Sequence, residues 1–144
     1  MNILNIIFQK LCCPILVLVL AIVLSSCNKG KLEIEQNFPF EVEVMPVPKD
    51  IAKGGTVEIR LRIIPSGDYA ETEYFLRYFQ FDGAGELRFY DESPYQPNDL
   101  YPLSEKQFRL YYTSRSVVAQ SFDIWVSDNF GNERQLKFQF NSKD

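Results

Sequence analysis

The chain has 144 residues, with 15 Lys and Arg against 19 Asp and Glu, a formal net charge of −4, three cysteines and no histidine. Without imidazole, Ser-His-Asp and Cys-His nucleophilic sites, histidine general bases and ordinary zinc sites are excluded, which leaves carboxylate or Ser-Lys chemistry open. A mildly acidic chain with scattered signs offers no basic patch for phosphates, so nucleic acid is not expected as a partner.

Met1 to Lys10 carries one lysine among apolar side chains, and Leu11 to Leu24 is an uncharged apolar run of 14 residues. That length falls short of the roughly 18–20 residues needed to cross a bilayer as a helix. The run ends in small residues and a cysteine, Leu24-Ser25-Ser26-Cys27, as a secretory signal does. This ending resembles the lipobox of bacterial lipoproteins. The resemblance implies that Leu24, Ser25 and Ser26 admit a signal peptidase and that Cys27 carries a diacylglyceryl thioether at the mature N-terminus. Residues 1–26 are then a signal peptide, 27–31 the lipidated cysteine and a polar tether, and 32–144 the folded domain. Removing 1–26 leaves 118 residues, one domain's worth, and takes away Lys10, so the net charge moves from −4 to −5. Cys12 and Cys13 leave with the signal and Cys27 is consumed by lipid. The domain therefore has no disulfide, although its compartment permits one. Asn28 stands where an aspartate retains lipoproteins in the inner membrane, and Lys29 and Lys31 stand where acidic residues mark surface export. Both point to the outer membrane, facing the periplasm.

From Leu32 onward the apolar residues alternate, the pattern of half-buried strands. Phe40, Val42 and Val44 face one way and Glu41 and Glu43 the other, until Pro46 and Pro48 mark an edge or a crossing between sheets. After the Lys53-Gly54-Gly55 turn, Val57, Ile59, Leu61 and Ile63 point inward, with Glu58, Arg60 and Arg62 outward. Tyr74, Leu76 and Tyr78 share one face of the next strand, with Phe75, Phe79 and Phe81 on the other. A short strand with Leu87 and Phe89 follows. Asp91 to Pro102 then reads as an irregular loop, because its prolines break any ladder. Phe108, Leu110 and Tyr112 mark a further strand. Phe122, Ile124 and Val126 pair with Leu136, Phe138 and Phe140 across an Asp128-to-Asn132 turn. About seven short strands and no helix of three turns predict a single all-β, immunoglobulin-like antiparallel sandwich.

Candidate sites are few. Asp128 to Glu133 holds enough oxygens for a calcium ion, but six residues are half an EF-hand loop and are also what a hairpin turn needs. Glu71/Glu73 and Asp91/Glu92 are adjacent acids without a visible pocket to separate their pKa values, so an enzyme is not expected. Tyr90, Tyr95 and Tyr101 lie on or beside a proline-stiffened loop, which either recognises a partner or folds over the core edge. Tyr111 and Trp125 point outward from their strands and complete the candidate partner-binding set. No cofactor or metal is called for, and a small-molecule ligand is not expected.

The order of segments resembles one family across essentially the whole chain. Its pieces are the lipobox, Phe-Pro-Phe-Glu-Val (38–42), Lys-Gly-Gly-Thr-Val-Glu-Ile-Arg (53–60), Tyr-Phe-Leu-Arg-Tyr-Phe-Gln (74–80), Leu-Tyr-Pro-Leu (100–103), Phe-Arg-Leu-Tyr-Tyr-Thr (108–113) and Asp-Asn-Phe-Gly-Asn (128–132). Together they resemble the conjugative transposon protein TraQ of Bacteroides and relatives. The resemblance implies a non-catalytic, membrane-anchored accessory component of the conjugative transfer apparatus, acting through contacts with its other proteins. The alternative is a glycan-binding envelope module using a coplanar set of Trp125, Tyr95 and Tyr101. An inhibitor or immunity-type lipoprotein and, more distantly, a two-carboxylate hydrolase complete the readings.

Overall fold

The structure is a computed structural model that describes residues 35–143. The lipobox, the tether and the start of the domain at residue 32 lie outside the described residues.

Alternating sequence becomes alternating burial. The chain forms β1 (Phe40–Val44), β2 (Asp50–Ile51), β3 (Thr56–Pro65), β4 (Tyr74–Asp82), β5 (Gly85–Phe89), β6 (Leu100–Leu103), β7 (Gln107–Ser114), β8 (Gln120–Asp128) and β9 (Glu133–Ser142). One sheet has the order β1-β3-β7-β5 and the other β2-β9-β8-β4-β6. The inward residues of both meet in one core, in which Ile59, Leu76, Leu87, Leu110, Tyr112, Phe122, Ile124 and Phe140 are fully buried. Among the described residues every regular element is a strand.

Pro46 and Pro48 sit where the chain leaves one sheet for the other. β1 pairs antiparallel with β3, and β2 pairs parallel with β9 through Asp50–Asn141 and Ile51–Ser142. Proline lacks the N–H that a ladder needs, so the crossing falls there. The strand count is nine among the described residues, above the seven that alternation indicates. The additions are the two-residue β2 and β6, which begins inside the segment read as irregular. Pro102 pairs with Phe75 and is tolerated because β6 is an edge strand, where a missing N–H breaks no ladder bond.

The loop between β5 and β6 closes the open side of the sandwich. Tyr95 N–H donates to the Leu87 carbonyl at 2.8 Å, and Asn98 N–H donates to that of Tyr78 at 2.9 Å. One loop thus touches a strand of each sheet.

At one end of the core a buried polar chain replaces hydrocarbon. Tyr112 Oη donates to Gln120 Oε1 at 2.7 Å, and Gln120 Nε2 donates to Ser114 Oγ at 2.8 Å. Gly85 faces this ring so closely that a Cβ there would overlap the Tyr112 ring and hydroxyl. Tyr112 is held in an aromatic stack and has little room to yield. Gly85→Ala is therefore expected to lower unfolding free energy by about 1–3 kcal/mol, the usual cost of overpacking. Chemical denaturation reads this directly, and an unchanged midpoint would show that the ring moves freely.

Candidate interaction face

β4 and β8 are neighbours, so their outward residues form rows across the five-stranded sheet. Arg77 lies opposite Trp125 on β8 and Leu100 on β6, and Phe75 lies opposite Ser127 and Pro102. Phe79 lies opposite Asp123, which in turn faces Lys137 on β9. The ladder shifts between Gln80 and Asp82, leaving Phe81 unpaired and 56% exposed against Phe79, with ring centroids 5.0 Å apart. Such a bulge re-aims a side chain at the end of a strand. The result is an outer face of Phe75, Phe79, Phe81, Leu100, Pro102 and Trp125.

Polar groups fix the centre of this face. The Arg77 guanidinium lies 4.8 Å from the centroid of the Trp125 ring and 3.8 Å from the Glu133 carboxylate. The first contact is worth about 0.5–1 kcal/mol at an exposed site, and it holds the guanidinium over the indole. Asp123 is buried among its neighbours and accepts a hydrogen bond from Gln135 Nε2. The face therefore presents rigid aromatic area with a polar rim, the composition of a protein contact surface.

The five aromatic residues singled out from sequence do not converge. Trp125 is on this face. Tyr111 is on the outer face of the opposite sheet, where its hydroxyl donates to Glu58 Oε2 at 3.2 Å. Tyr90 follows β5, and its hydroxyl donates to Glu105 Oε2 at 3.5 Å. Tyr95 is 7% exposed and stacks on Tyr101 at 4.2 Å. Tyr101 shares the inward side of the sheet with Leu76, its register partner. Tyr95 is thus a core residue, which corrects its place in a contact set. The glycan platform of Trp125, Tyr95 and Tyr101 is not formed, because one ring points outward and two point inward. Phe75, Phe79 and Phe81 belong to the face, although the sequence marks them only as the far side of a strand. Their signal, an aromatic at alternate positions on the solvent side, was present in the sequence.

The acids considered for chemistry are accounted for locally. Asp128 Oδ1 accepts from the N–H groups of Phe130 and Asn132, both at 2.9 Å, which closes the β8–β9 turn. Asn129 Oδ1 accepts from Glu73 N–H at 3.0 Å and ties that turn to the start of β4. Glu71 accepts from the Tyr69 hydroxyl at 2.8 Å. Asp91 and Glu92 are exposed on the covering loop.

The comparisons bear on the whole chain. A comparison with curated proteins finds no match. Among solved structures, a conjugative transposon lipoprotein from Bacteroides eggerthii is 47% identical with a TM-score of 0.69, covering 74% of this chain and 100% of its own. A lipoprotein from Bacteroides thetaiotaomicron is 48% identical with a TM-score of 0.68, covering 80% and 88%. A conjugate transposon protein from Bacteroides vulgatus is 52% identical with a TM-score of 0.66, covering 79% and 93%. The family model described as TraQ conjugal transfer protein matches residues 10–143, so the strands, the covering loop and the aromatic face all fall within it. On that extent of match, the chain belongs to the TraQ conjugal transfer protein family.

Proposed function

We propose that this chain is a non-catalytic lipoprotein, held by lipid on Cys27 in the outer membrane and facing the periplasm. There it serves as an accessory component of the conjugative transfer apparatus through protein–protein contacts. The observation that carries this reading is the outer face around Trp125, rigid aromatic area on a domain of a conjugal transfer family. Two relatives support the anchor, one described as a conjugative transposon lipoprotein and one as a lipoprotein. Two or more acyl chains give stable membrane attachment where one gives marginal binding. The strand order supports an immunoglobulin-like reading of the fold: β1-β3-β7-β5 opposite β9-β8-β4 has the A-B-E-D and G-F-C order, with β2 and β6 added at the second sheet's edges.

The test is transfer frequency from a donor deleted for the gene and complemented in turn with wild type, Cys27→Ser and Trp125→Ser. Deletion is expected to abolish transfer, and only the wild type to restore it fully. Restoration by Cys27→Ser at matched protein level would remove the anchor from the mechanism. Full restoration by Trp125→Ser would remove the aromatic face. Unchanged transfer on deletion would overturn the role itself.

A further inference from the structure

The outer face of the four-stranded sheet carries a different chemistry. Register sets Arg60 on β3 directly opposite Arg109 on β7, and places Arg62 between Glu43 on β1 and Gln107 on β7. Like charges opposed across antiparallel strands repel. A single carboxylate relieves this pair: Glu58 is bonded to Arg60 and lies 3.5 Å from Arg109 Nη1. The Arg60 hydrogen bond holds the Glu58 carboxyl below the usual carboxylate range. Arg62 Nε donates to Glu43 Oε2 at 3.1 Å. Two carboxylates thus serve three guanidiniums, whose side chains remain 60%, 53% and 49% exposed at Arg60, Arg62 and Arg109. Each guanidinium keeps N–H donors that these pairs do not use.

These arginines line a groove of about 540 Å³. Met45, 49% exposed, and Tyr90 also line it and add apolar surface beside the charges. Tyr90 is held at φ 45°, a left-handed conformation that bulky residues rarely adopt. Strain of that kind persists where the surroundings fix a side chain in place. Among the charged side chains that line the groove, three guanidiniums thus meet one carboxylate, that of Glu43, with Glu105 at its edge on the Tyr90 hydroxyl.

We infer that this groove binds an acidic segment of a partner protein, with carboxylates on the Arg60/Arg109 pair and on Arg62, and an apolar side chain against Met45 and Tyr90. Guanidinium forks match carboxylates in bidentate fashion, which gives the groove geometric selectivity as well as charge. A nucleic acid fits poorly, because Glu43 and Glu58 stand among the arginines and would face a continuous run of phosphates. Discrete carboxylates can sit on the arginines and avoid both. The inference rests on the proposed role in protein contacts and gives that role a second partner surface. It lies on the opposite sheet from Trp125, so both surfaces can be occupied at once.

The test is calorimetric titration of the membrane-extracted protein in detergent micelles with a hexaglutamate peptide and a Leu-Glu alternating peptide. Inorganic phosphate and a single-stranded oligonucleotide serve as competing anions. Arg60→Gln, Arg62→Gln and Arg109→Gln are each expected to weaken peptide binding about tenfold, the effect of removing about 1.4 kcal/mol of interaction. Glu43→Gln is expected to strengthen it, because a competing carboxylate leaves Arg62. The Leu-Glu peptide is expected to bind more tightly than hexaglutamate. Val117→Ser, on the exposed connection between β7 and β8, is expected to leave binding unchanged. These positions are on the surface, so melting curves matching the wild type keep the comparison sound. Absence of peptide binding, weaker binding by Glu43→Gln, or phosphate or oligonucleotide binding as tightly as the peptides would overturn the inference. Binding is read without transfer frequency, so peptide binding beside an unaffected transfer phenotype would overturn the transfer role and leave the groove standing.

Discussion

Phe122→Ala is expected to lower the unfolding free energy by about 3–5 kcal/mol, the range for removing a large aromatic from a packed core. Phe122 lies on β8, in the interior of the five-stranded sheet, and is fully buried. Its ring stacks on Tyr112 at 4.3 Å, on Phe138 at 5.1 Å and on Phe140 at 6.1 Å, and meets Tyr78 edge-on at 5.8 Å. Tyr112 belongs to β7 of the other sheet, so the closest of these contacts ties the two layers together. Truncation opens a cavity against four rings at once, and stacked aromatics cannot collapse into it without giving up their own geometry. Ordinary domains hold only about 5–15 kcal/mol in total, so the variant should fall close to its unfolding threshold. Phe122→Leu keeps most of the volume and is expected to cost less than half as much. Phe81→Ala, on the solvent side, is expected to stay within about 0.5 kcal/mol of wild type. Urea midpoints at constant slope measure all three. A loss below about 1 kcal/mol in Phe122→Ala would show that the stack does not couple the sheets.

Much of this fold was legible in the sequence because alternation is a property of single strands. Val57, Ile59, Leu61 and Ile63 announce their burial by spacing alone, and the β8–β9 hairpin is written in two alternating runs and a turn. What alternation cannot express is which strands lie side by side. Tyr111 and Trp125 both read as outward, yet β7 and β8 belong to different sheets, so the two rings face opposite directions. Trp125 joins Phe75 and Phe79 only once β8 is set beside β4, and Arg109 meets Arg60 only once β7 is set beside β3. The covering loop was read as irregular because Pro94, Pro97 and Pro102 suppress a strand signal. A single edge strand accommodates the last of them, and Tyr95 is buried through contacts with residues distant in sequence. The buried link from Tyr112 through Gln120 to Ser114 was likewise invisible, since it joins one strand from each sheet.

Alkaline unfolding should be steep, and its cause is the same aromatic core. Burial pushes the phenols of Tyr78, Tyr95 and Tyr112 above their ordinary value, and that of Tyr74 also rises. Below about pH 10 these phenols are protonated in both the folded and the unfolded chain, so their contribution to stability is fully present. As pH rises further, the unfolded chain releases its protons first while the folded chain retains them, and that stability is lost until the folded values are passed. Each retained proton costs about 1.4 kcal/mol per pH unit, so Tyr78 and Tyr95, the two most strongly shifted, together remove about 3 kcal/mol per unit. A domain at the lower end of ordinary stability, about 5 kcal/mol, then unfolds within about two units above pH 10. With no histidine in the chain, nothing comparable is expected near neutrality. The share of tyrosinate absorbance that belongs to Tyr78 and Tyr95 should therefore appear in one cooperative step with the loss of the β-sheet circular dichroism signal. Tyr78 Oη donates to Gln80 Oε1 at 3.0 Å, so Tyr78→Phe is expected to cost about 1 kcal/mol at neutral pH. The same substitution removes one of the two large titrations, and its stability should fall by only about 1.4 kcal/mol per unit above pH 10. The two stability curves must converge as pH rises, because the variant starts lower and declines more slowly. Ionisation of all eight tyrosines with circular dichroism unchanged would mean that these phenols reach solvent without unfolding.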